Sequence, residues 1–187
     1  MRFISLSALI SLVLLLSACG SSAIDDFSYT DQRGEPVALE DLKGTPWLAT
    51  FVFTNCNTVC PPMTFNLSGI QEELEADGLS DYKIVAFSVD PIVDTPETLQ
   101  NYLAQFSVPD DSKWHLLTGY TQDEIAEFAK DNFKSFVRND PESDQVIHGT
   151  NFYLVDQEGV VVNNYDGYDS VPVEDIKNDL RGLIEEY

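Results

Sequence analysis

The chain has 187 residues, 43% of them hydrophobic and 11% aromatic, with 32 acidic side chains against ten basic ones and a formal net charge of −22. That is enough chain for one domain with its own core, and too apolar a composition for a disordered polymer. The charge excludes a protein that grips nucleic-acid phosphates, which needs a basic face. Three cysteines leave one over from any single disulfide.

The N-terminus accounts for the odd cysteine. Arg2 precedes an apolar run from Ile4 to Leu16, too short for an ordinary membrane span, which ends in Leu16-Ser17-Ala18-Cys19. That ending resembles a bacterial lipobox, in which the cysteine is acylated and becomes the first mature residue. The resemblance implies a signal peptide over 1–18, a lipid-anchored tether over 19–24, a domain over 25–187, and residence on the extracytoplasmic face of the bacterial cell membrane. A lipobox cysteine carries several acyl chains, which together hold stably. Loss of Arg2 leaves nine basic residues against 32, a mature charge of −23.

Alternating apolar and polar residues from Ile24 to Leu39 predict a hairpin around Asp31-Gln32-Arg33-Gly34, followed by a turn at Asp41-Leu42-Lys43-Gly44. Trp47 to Phe53 is a near-continuous apolar run, the pattern of a buried central strand. After a loop from Thr54 to Cys60, Pro61-Pro62 opens a helix to about Ala76, with Met63, Leu67, Ile70 and Leu74 at helical spacing. Tyr82 to Val89 predicts a second buried strand. Thr95 caps a helix through Phe106, and Trp114 to Leu117 fits a short strand. Thr121-Gln122-Asp123-Glu124 has the form of a capping box opening a helix to about Asn132. Asn139 to Asp144 reads as a polar loop, and Asn151 to Val155 with Val160 to Tyr165 as a hairpin. Pro172 to Glu186 reads as a terminal helix. Strands alternating with helices mean an α/β domain: a central mixed sheet flanked by helices, with an N-terminal hairpin. A cysteine pair between the first buried strand and its helix is the thioredoxin arrangement, to which Pro91 to Asn139 would be a central insertion.

Cys56 and Cys60 lie at or just before a helix N-terminus, where the dipole favours thiolate. Pro61 biases Cys60 away from helical angles, so the pair is expected on a loop running into the helix. Its small loop gives a disulfide little value as a staple, which makes a chemical role the better reading. Two thiolates can close a disulfide or share a soft metal, but not both at once. Only His115 and His148 can add an imidazole. His115 reads as structural. His148 precedes the Asn151 strand, beside the cysteine loop in a thioredoxin-like fold. Two thiolates and one imidazole form a soft site suited to copper, with zinc as competitor. Asn163 to Asp169 lacks the spacing of a calcium loop and reads as a turn.

At these residues the chain resembles the Sco/SenC family. The resemblance rests on Cys56-Asn57-Thr58-Val59-Cys60-Pro61-Pro62-Met63-Thr64, on Ser88-Val89-Asp90-Pro91 with Asp94-Thr95-Pro96-Glu97, on Trp114 with Leu117-Thr118-Gly119, and on His148 before Tyr153-Leu154-Val155-Asp156. It implies a thioredoxin-like fold and one copper ion per chain held by Cys56, Cys60 and His148. It further implies a metallochaperone for the binuclear copper centre of cytochrome c oxidase subunit II, acting as a monomer. The alternative is a thiol–disulfide oxidoreductase that reduces the target's cysteines before metallation. A peroxidase reading is weaker, since Phe53 stands where peroxiredoxins place a threonine. Two residues depart from the family pattern: Ile147 replaces an acidic residue before the histidine, and Gly149 a Ser or Thr after it. They leave open what orients the ring. Asp90 is the family-matching carboxylate expected to orient a ligand or act as a weak fourth one, although it also reads as a strand-ending Asp.

Overall fold

A computed structural model describes residues 23–186. The signal peptide and Cys19 therefore lie outside the described residues. The folded body begins at Ala23, which bridges Val160, and at Ile24, which is 4% exposed and donates its N–H to Gly159. The last two residues of the expected 19–24 tether thus belong to the domain, because Ile24 buries an apolar side chain.

The central sheet has the order β5-β4-β3-β8-β9, with β3 at Trp47–Val52, β4 at Lys83–Ser88, β5 at Trp114–Leu117, β8 at Asn151–Val155 and β9 at Val161–Asp166. β3 pairs parallel with β4 and β4 with β5, while β8 runs antiparallel to β3 and β9 to β8. The sheet is mixed, as expected, and β5 from the central insertion forms one edge. All six residues of β3 are buried, the consequence of a strand covered on both faces.

Crossovers from β3 to β4 and from β4 to β5, which in parallel sheets are right-handed as a rule, put α2 (Cys60–Ala76) and α3 (Pro96–Leu103) on one face. The Thr64 and Tyr102 hydroxyls, 2.7 Å apart, join these helices there. The C-terminal helix, whose α-helical span is Val173–Glu185, shares this face: Lys177 reaches Glu73 and Asp77 of the α2 end, each at 3.0 Å. On the opposite face Phe51, Phe87 and Tyr153 meet Phe128 and Phe133 of the helix Gln122–Phe133, with Phe27 beside them. Alternation along each strand sends these aromatics to one side and Leu48, Thr50 and Val52 to the other.

The expected caps are present. Thr95 Oγ1 accepts from the Thr98 N–H, and Thr121 and Glu124 form a reciprocal capping box. The N-terminal hairpin is β1 (Ser28–Thr30) with β2 (Pro36–Ala38). Two local expectations are corrected. The segment read as a turn at Asp41 begins as a short helix, α1 (Leu39–Leu42), because Leu39 and Leu42 both bury; the chain then turns at Gly44, φ +82°. Asn139 to Asp144 is the tip of a hairpin rather than a free loop. β6 (Val137–Asn139) and β7 (Val146–His148) flank it, with Val137 opposite His148. Numbered in chain order, the two remaining helices are α4 (Gln122–Phe133) and α5 (Val173–Glu185).

Candidate metal and redox centre

The C-terminal end of β3 and the N-terminal end of β8 lie at the same edge of the sheet because the strands are antiparallel. The cysteine loop leaves the first, and His148 lies just before the second. This convergence joins residues separated by 88 positions in the chain.

Cys60 is the first residue of α2, not a loop residue outside it. Pro61 at the next position is compatible with this, since an early helical proline sacrifices no hydrogen bond. A helix start leaves its first N–H groups without intrahelical partners. Here Pro61 and Pro62 have none to offer, and Met63 donates to Val59. The free donor of this turn is therefore the Cys60 N–H, and it points at Cys56 Sγ, 3.3 Å away. Cys56 is tied back by its own N–H to the Phe53 carbonyl. Both cysteines are reduced, and they are 7% and 0% exposed.

The two thiols are unequal acids. A hydrogen bond from the Cys60 thiol brings Cys56 down to about 3, aided by the His148 ring and the N–H groups of Thr58 and Cys60 and opposed by burial. The same bond pushes Cys60 far above the ordinary thiol range, and burial, the Cys56 charge and that of Asp94 add to it. One sulfur is thus a ready thiolate and the other holds the pair's proton.

His148 is buried, with Nε2 3.3 Å from Cys60 Sγ and Nδ1 2.8 Å from the Gly149 carbonyl. A carbonyl can only accept, so Nδ1 carries a proton. Nε2 is then the ring nitrogen that faces the sulfur. The Phe53 ring meets the imidazole edge to face, centroids 5.8 Å apart. A backbone carbonyl thus orients the ring, a role the departures at Ile147 and Gly149 had left open. His115 lies elsewhere, against Asp31 at 3.4 Å, as a structural histidine should.

Asp90 makes no hydrogen bond to Cys56, Cys60 or His148 among the described residues; its N–H donates to Ser88 Oγ and its carbonyl accepts from the Val93 and Asp94 N–H groups. The carboxylate built into the site's support is Asp94. Fully buried, it accepts from the Thr54 N–H at 3.2 Å, the Thr54 hydroxyl at 2.5 Å and the Ser88 hydroxyl at 2.6 Å. Burial raises its carboxyl, and these bonds pull it back. Sequence reading had Asp94 only as part of a motif; the signal that could have found it is the pairing of Ser88 and Thr54, two hydroxyls at adjacent strand ends. The β6–β7 tip meets the cysteine loop, with Asn55 Nδ2 donating to Asp144 and Gln145 Nε2 to the Asn55 carbonyl, both at 3.1 Å.

As donors, two sulfurs and an imidazole suit a soft metal. No three such side chains already form a closed metal cage among the described residues. The Cys60–His148 pair needs little movement, however: with metal–sulfur near 2.3 Å and metal–nitrogen near 2.0 Å, a sulfur and a nitrogen on one ion stand about 3.5 Å apart, a few tenths beyond their 3.3 Å separation.

Residues 18–185 match the SCO1/SenC family. The chain belongs to that family. It is 46% identical to a SCO1/SenC family lipoprotein from Bacillus anthracis, with a TM-score of 0.83 over 87% of this chain and 95% of that one. BsSco, described as having a disulfide switch and as a member of the Sco family of cytochrome c oxidase assembly proteins, is 42% identical, with a TM-score of 0.80 over 87% and 94% of the two chains. Bradyrhizobium japonicum ScoI, solved with copper bound, is 29% identical, with a TM-score of 0.72 over 87% and 99%. The α/β arrangement read from the sequence is therefore the thioredoxin-like fold of the Sco family.

Proposed function

We propose that this protein is a copper metallochaperone that loads the binuclear copper centre of cytochrome c oxidase subunit II. One copper ion per chain is its cargo, held by Cys56, Cys60 and His148. The carrying observation is the placement of His148: Gly149 engages Nδ1, which leaves Nε2 3.3 Å from Cys60 Sγ. Copper in the ScoI relative and the assembly role of the family that includes BsSco support this reading. Anchoring by lipid at Cys19, after removal of 1–18, places the protein on the extracytoplasmic face; the lipobox-like sequence and the B. anthracis lipoprotein support it.

Cys56 enters as a thiolate, and Cys60 must give up its proton to become a ligand. Binding therefore releases the pair's proton, and copper affinity should climb about tenfold per pH unit through the neutral range. Copper titration of the reduced protein, followed by thiolate-to-copper charge transfer, measures both the affinity and its slope. A band that survives His148→Ala at full intensity and affinity would remove the three-ligand reading.

The asymmetric thiols favour a second reading, disulfide exchange in which Cys56 attacks a target disulfide and Cys60 resolves it. The pair would lose two electrons and close its own disulfide, and the target would gain two thiols. A thiolate stabilised to about 3 nevertheless stabilises the reduced pair, which makes it a weak reductant. That places copper handling first.

A further inference from the structure

We propose that Ser135 is the positioning residue for His148, acting through Gly149. α4 ends at Phe133, Lys134 turns the chain in the left-handed region at φ +53°, and the Ser135 N–H returns to the Ala129 carbonyl. This cap delivers Ser135 to the site edge of the sheet, two residues before Val137, the β6 partner of His148. The Ser135 side chain is buried at 6% exposure, and its hydroxyl lies beside that of Tyr153.

The hydroxyl fills the space that a side chain at residue 149 would need. A Cβ on Gly149 would stand 2.5 Å from Ser135 Oγ and 3.8 Å from the Tyr153 hydroxyl. Gly149 is not in the left-handed region, so contact and not backbone angle is what calls for glycine there. The peptide packed this way is the one whose carbonyl accepts the His148 Nδ1–H. Ser135 therefore limits where that carbonyl can sit, and through it the direction of Nε2.

The test uses the reduced full chain in detergent, with nitrogen NMR of the histidine rings as the first readout and copper titration as the second. Gly149→Ala should lose the single Nδ1–H signature of His148 and weaken copper binding about tenfold or more. Adding Ser135→Gly to Gly149→Ala removes the clashing hydroxyl and should restore both. An unchanged His148 signature in Gly149→Ala, or no rescue in the folded double variant, would overturn the proposal. Should Gly149→Ala fail to fold, Ser135→Gly alone decides: two or more His148 environments are expected, and a single wild-type one would overturn it. The copper arm rests on the function proposed above and the NMR arm does not. Absence of copper binding by the unmutated protein would therefore defeat that function while leaving the positioning role to the ring signals.

Discussion

At the scale of single residues, the site works by dividing protons between two sulfurs. The α2 start has one free N–H, from Cys60, and it serves Cys56 Sγ together with the Cys60 thiol. The ultraviolet absorbance of the Cys56 thiolate should therefore persist as pH falls from 8 and fade only near about pH 3. Cys60→Ala removes the principal donor, and the fading should move up toward the ordinary thiol value of about 8.5. Both cysteines and His148 were legible in the sequence, because a thiol pair before a proline-led helix has few other uses. Asp94 was not legible as the supporting carboxylate, since its role depends on Thr54 and Ser88 meeting it across two strand ends. Asp94→Ala leaves one buried and two part-buried donors without their acceptor and should cost about 2–4 kcal/mol in urea unfolding, with an unchanged slope.

At the scale of elements, α2 carries the site at one end and is pinned at the other. Lys177 of α5, with little side-chain exposure, meets Glu73, Asp77 and Glu174, and Arg181 also reaches Asp77. The three carboxylates raise the lysine's pKa above its unfolded value. Its contribution to stability is therefore complete below about pH 10 and lost as pH rises past the folded value. Lys177→Met leaves the carboxylates facing one another and should lower the melting temperature at neutral pH, with the deficit shrinking in strong alkali. Calorimetry across pH checks this. The strands and long helices were readable from hydrophobic period alone. The β6–β7 hairpin was not: its strands have three residues each, and its polar tip has the composition of any loop. What makes it a hairpin is its pairing and the clasp of Asn55 by Asp144 and Gln145.

For the whole molecule, charge and anchoring carry the consequences. A net charge of −22 repels itself more than a handful of surface ion pairs can offset. Salt screens that repulsion, so the melting temperature should rise between low and moderate sodium chloride, although the Lys177 cluster weakens under the same conditions. Such a surface gains nothing from anionic lipid headgroups, and no described helix is long and apolar enough to cross a membrane. On the lipid anchoring proposed above, Cys19→Ala should shift the protein from the lipidated to the unlipidated form, as metabolic labelling with a fatty acid would reveal.

The sequence by itself determined the fold class and picked out the cysteine pair and the histidine that the fold brings together. Those depend on local pattern and on the scarcity of side chains able to do the chemistry: three cysteines and two histidines in the whole chain. Only the tertiary structure decided which sulfur holds the proton, what orients His148, and why residue 149 is glycine. Each of these depends on atoms brought within a few ångströms by antiparallel β3 and β8 and by the turn after α4. Hydrogen bonding and exclusion at that range depend on the closed fold, and no spacing along the chain encodes them.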